Sequence, residues 1–70
     1  MHVIGVVTLG PQMRNGVVSI ELDREIDVLA TNELATYAMQ MVTVGRTIYV
    51  RGDLHEQGPF PFIRAREVVA

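Results

Sequence analysis

The chain has 70 residues, 49% of them hydrophobic, and contains neither cysteine nor tryptophan. Six arginines and no lysine face eight acids, for a formal charge of −2 at pH 7. That length holds one core, so a single domain over 1–70 is predicted; a TIM barrel, a complete dinucleotide-binding domain, a disulfide framework and a thiolate zinc site are excluded.

The segment Val3–Leu9 is rich in β-branched residues and too short for a helix, which predicts a first strand. Gly5 inside it marks a bend, a bulge or a close backbone approach. Gly10 to Gly16 interrupts the pattern. Asn15-Gly16, both tolerant of positive φ, predicts a turn there. Val17–Leu22 predicts a second strand with Val18, Ile20 and Leu22 on one apolar face and Val17, Ser19 and Glu21 on a mixed one. Asp23-Arg24-Glu25 fits a tight turn, and Ile26–Ala30 a third strand. Glu21, Asp23, Glu25 and Asp27 recur at every second residue. They lack the glycine and the bidentate glutamate of a calcium loop, so they read as a solvated hairpin tip.

Thr31-Asn32 offers an N-cap, with Glu33 in the first turn where the helix dipole favours an anion. Leu34, Ala35, Ala38, Met41 and Val42 share one side of a short helix over about residues 32–41. Arg46–Leu54 predicts a fourth strand, with Ile48, Val50 and Leu54 facing one way and Thr47, Tyr49, Arg51 and Asp53 the other. His55 to Pro59 reads as a loop. Phe60–Val69 predicts the last strand, in which Ile63, Ala65, Glu67 and Val69 alternate with Phe62, Arg64, Arg66 and Val68. Three strands, one short helix and two strands predict an all-β fold, a small five-stranded OB-like barrel with the helix between strands three and four.

The string Val44 to Leu54, with glycines at 45 and 52, and the ending Phe62 to Val68 resemble the last two strands of OB-fold nucleic-acid-binding domains. Bacterial single-stranded-DNA-binding proteins and the related primosomal protein PriB end on a similar pattern. Ile4-Gly5-Val6-Val7-Thr8-Leu9-Gly10 resembles their first strand. The matches cover about half of the chain. The resemblance implies an OB fold, association between barrels, and binding of single-stranded nucleic acid.

No Walker loop, nucleophile elbow, His-Glu metal motif or cysteine nucleophile is present, so no enzyme, cofactor or metal is expected. The two histidines, His2 and His55, are too few to build a metal site. A binding surface is the better candidate. If the last two strands are neighbours, Tyr49 and Arg51 lie beside Phe62, Arg64 and Arg66. Arg14 joins them from the tip of the first loop. The aromatics would stack bases and the arginines would contact phosphates. The competing arrangement puts Phe60 and Phe62 in the core and pairs the arginines with acids. Charge is uneven: residues 1–35 carry two arginines against five acids, residues 36–70 four against three. A local basic stripe can therefore survive the negative total, with weak, salt-sensitive binding.

The leading expectation is a non-catalytic single-stranded nucleic-acid-binding protein, of DNA rather than RNA, acting in replication or repair. The alternative is an OB module that binds another protein, favoured by the acidic total and the missing tryptophan. A homo-oligomer is expected because the chain is small, unstapled and half hydrophobic. With no charged leader and no apolar run of membrane length, no membrane association and a cytoplasmic location are expected.

Overall fold

Alternating segments become strands because an extended backbone sends every second side chain to the same face. The computed structural model describes residues 1–70. Its elements are β1 (His2–Arg14), β2 (Val17–Leu22), β3 (Ile26–Thr31), α1 (Asn32–Met41), β4 (Thr47–His55) and β5 (Phe62–Val69). The sheet closes on itself in the order β1-β2-β3-β5-β4. β3 and β5 run parallel, and every other neighbouring pair is antiparallel. The fold is all-β, a five-stranded OB-like barrel with one short helix between β3 and β4.

The barrel interior holds a cluster of 14 buried apolar residues, and no polar side chain is buried. Val18, Ile20 and Leu22 of β2 meet Ile48 and Val50 of β4 and Val28 of β3 there. Burying a branched side chain of this size contributes about 1.5–3 kcal/mol. α1 packs against β1, β2, β3 and β5. It contributes Ala35 and Ala38 to the cluster, residues small enough for a close approach of helix to sheet. Tyr37 reaches from the helix to the end of the chain, where its hydroxyl accepts the Ala70 N–H at 3.1 Å. The total accessible surface, 4668 Å², is near the ~4,400 Å² expected of a folded chain of this mass.

β2 and α1 have the predicted bounds, β5 begins at Phe62 and not at Phe60, and four further local features differ. β1 does not stop at Leu9; it runs on to Arg14. Leu9 pairs with Glu21 and Gln12 with Ser19, so Gly10 and Pro11 stand opposite Ile20 alone. The irregularity absorbs a proline that has no N–H to give to a ladder. Gly10 is required there: its φ is +92°, and a Cβ would lie 2.6 Å from the Ser19 carbonyl oxygen. The turn to β2 is Asn15-Gly16 alone, with φ of 52° and 77°, the left-handed pair that matches strand twist. Arg14 is thus a strand residue paired with Val17, not a loop tip.

The start of α1 is the second difference. Thr31 occupies the N-cap position yet makes no capping hydrogen bond, because it is still paired with Val17 in the β2–β3 ladder. The chain turns into the helix at Asn32, whose φ is 55°. Third, His55 is the last residue of β4, paired with Phe62, and not part of the following loop. Fourth, β5 changes phase. Ala65 pairs with Gly52 and Glu67 with Arg51, so Arg66 is an extra residue in the ladder. After this bulge Glu67 is outside, Val68 is inside and Val69 is 51% exposed, opposite to strict alternation.

The acidic row is more than a solvated tip. Asp23 Oδ1 accepts the Val6 N–H at 2.8 Å, which ties the β2–β3 turn to β1. Glu21 Oε1 accepts the Thr8 hydroxyl at 2.9 Å.

Candidate nucleic-acid interface

In a sheet, paired residues on adjacent strands share a face. The register therefore decides which of the six candidate residues can act together. Arg14, Val17 and Thr31 form one outward line across β1, β2 and β3. Gln12, Ser19, Leu29, Arg64 and Asp53 form a second line across all five strands. Leu9, Glu21 and Asp27, with Phe62 and His55 beyond them, lie at the next level. Thr31 lines one shallow depression with Arg51, Asp53, His55, Arg64 and Arg66. A neighbouring depression brings Arg14 together with Gln12, Val17, Ser19 and Leu29. Arg14, Arg51, Phe62, Arg64 and Arg66 are thus on one outward face of the barrel wall.

The arginines are not equivalent. Arg51 Nε donates to Glu67 Oε1 at 3.2 Å, and Arg66 Nε to Asp53 Oδ2 at 2.6 Å. All four side chains are between 45% and 65% exposed, so these pairs add little to stability and are open to exchange. The hydrogen bond from Arg66 holds the Asp53 carboxyl below its ordinary range, against a smaller opposing effect of desolvation. Arg14 and Arg64 make no ion pair. The bulge is what puts both Arg66 and Glu67 on the outside, where Arg66 meets Asp53 and Glu67 meets Arg51.

The aromatics divide as well. Phe62 is half-buried outside the core cluster. It stacks on His55 with centroids 5.0 Å apart and planes 3° from parallel. Phe60 belongs to no strand and is 77% exposed. Neither phenylalanine is core. Tyr49 is outward too, but it is paired with Ile4 and Val69, about 20 Å along β4 from the His55–Phe62 pair at ~3.4 Å per residue. Its hydroxyl lies 2.7 Å from His2 Nδ1. Tyr49 and Phe62 therefore do not form one stacking platform; His55 is the aromatic neighbour of Phe62.

Leu29, Thr31 and Val17 were not singled out from the sequence, although they floor the face between Arg14 and Arg64. Their half-buried class comes from lying mid-sheet, and only the parallel β3–β5 pairing sets them beside Arg64. No three His, Asp or Glu side chains come together in a way that could hold a metal ion. No helix is long and apolar enough to cross a membrane. No protein-family model matches the chain, and no curated protein matches its sequence.

Proposed function

We propose that the barrel is a non-catalytic single-stranded nucleic-acid-binding protein, of DNA in replication or repair, and that the strand crosses the outward face of β1, β2, β3, β5 and β4. The observation that carries this reading is the placement of two unpaired arginines, Arg14 and Arg64, on one face. Between them runs a half-buried strip of Val17, Leu29 and Thr31, and beside Arg64 stands the His55–Phe62 stack. Cations spaced along a groove with a flat aromatic pair at one side are what a phosphodiester strand with unstacked bases requires. Arg51 and Arg66 enter only by exchanging their carboxylate partners for phosphates.

The test is a titration of labelled oligo-dT at two salt concentrations against the native chain, Arg14→Ala and Arg64→Ala. Each variant is expected to weaken binding and to flatten the salt slope by roughly 0.7. A native chain that fails to bind at low salt overturns the reading.

The second reading, a protein-interaction module, is favoured by a different observation. Ile4 is 70% exposed, Val69 51% and Val6 41%, on the outward side of β1 and β5 around Tyr49. Apolar side chains gathered outside a barrel suit contact with another protein, including a second copy of this chain.

A further inference from the structure

We propose that the cleft lined by Phe60 is a second binding site, which takes an extended segment of a partner protein carrying arginine or lysine beside a leucine-like residue. Two adjoining depressions of about 330 and 370 Å³ meet at Asp27, Phe60 and Phe62. The first has apolar walls from Leu9, Leu29 and the two phenylalanines, and its charged residues are Glu21 and Asp27. The second carries Glu25 and Asp27. The one positive charge at its rim, the Met1 ammonium, already donates to the Gly52 carbonyl at 3.1 Å.

The chemistry selects the occupant. Asp27 is exposed, in no ion pair, and accepts no hydrogen bond. Glu21 uses one oxygen on Thr8 and keeps the other free. A phosphodiester brought here would meet three carboxylates and no arginine. A cationic side chain meets the opposite: a carboxylate for its head, phenyl faces for cation–π contact, and leucines along its aliphatic stem. Same-face side chains of an extended segment stand ~7 Å apart, so one such segment places a cation at one depression and an apolar residue at the next. The site adjoins the arginine face and shares Leu29 and Phe62 with it, but its own charges are carboxylates, which set its ligand apart from a nucleic acid.

Fluorescence anisotropy with labelled nonapeptides tests this on the whole chain. One probe carries leucine and arginine in turn at every second position, with serine between them, so that both lie on one face; the controls replace its arginines by glutamate or its leucines by serine. The leucine–arginine probe is expected to bind at least about tenfold tighter than either control. Asp27→Asn and Phe60→Ala are each expected to weaken it about tenfold, with an unchanged melting transition because both side chains are exposed. Equal binding of the serine–arginine probe would reduce the effect to unspecific charge attraction and overturn the site. So would folded Asp27→Asn and Phe60→Ala variants of native affinity. Weaker oligo-dT binding by Asp27→Asn would assign the cleft to nucleic acid instead.

Discussion

Gly52 stands at the irregularity between β4 and β5. It faces the interior at the bulge, and a Cβ added there would overlap the Arg64 carbonyl oxygen. The obstacle is backbone, which cannot rotate away as a side chain would. Gly52→Ala is therefore expected to lower stability by about 1–3 kcal/mol, read by denaturant unfolding. It is also expected to disturb the positions of Arg66, the bulged residue, and of Arg64 two residues before it. Asp53 acts in the other direction. Its carboxyl is held below the ordinary range by Arg66, so the pair persists at neutral pH and is lost only as pH falls through the lowered value. On the proposed function, Asp53→Asn frees Arg66 for a phosphate. Oligo-dT binding at neutral pH is then expected to tighten, and its salt slope to steepen by roughly 0.7. A variant that binds as the native chain does would show that Arg66 takes no part.

Elements were legible where local pattern and tertiary demand agree. Val18, Ile20 and Leu22 alternate without interruption, and β2 has the bounds their period sets. Ala35 and Ala38 fall on one side of a helical wheel, and α1 has its predicted span. Two of the misreadings share one cause, a residue whose local preference is overridden by pairing with a neighbouring strand. Pro11 looks like a terminator, yet β2 holds β1 extended past it. Arg66 looks like an ordinary member of an alternation, yet Gly52 on β4 forces an extra residue. Of the site, the arginines and Phe62 were legible as outward residues. The separation of Tyr49 from Phe62 was not, since it depends on register.

The junction of β3 and α1 yields an element-scale prediction. Thr31 remains in the ladder, so Asn32 takes the left-handed turn alone, at φ 55°. Asn32→Ala should cost about 1 kcal/mol, whereas Asn32→Gly should be tolerated. Thermal melting of the two variants decides it; equal losses would show that the Asn32 side chain matters more than its backbone.

At the scale of the molecule, closure changes how copies of the chain could associate. β1 has β2 and β4 as neighbours, and β5 has β3 and β4. Pairing of strands across a two-fold axis is thereby confined to stretches that have one neighbour, such as the two halves of β1. Side chains can also carry a homo-oligomer, and Ile4, Val6 and Val69 are an exposed apolar group outside β1 and β5. If they do, Ile4→Asp is expected to shift the sedimentation coefficient to that of a monomer. A native chain that sediments as a monomer at micromolar concentration sinks the proposal.

β1 serves two partners in succession, its first half laddered to β4 and its second half to β2. The β2 half can form as soon as residue 22 exists; the β4 half must wait for Thr47 and its followers. A chain that has formed only these local pairings is a three-stranded meander whose inner face, with Val7, Val18 and Val28, has no lid. Closing the long loop between β1 and β4 comes late, and so the barrel is expected to refold in milliseconds to seconds. For that interval the apolar lining is open to other chains, so losses to aggregation on refolding are expected to rise with protein concentration.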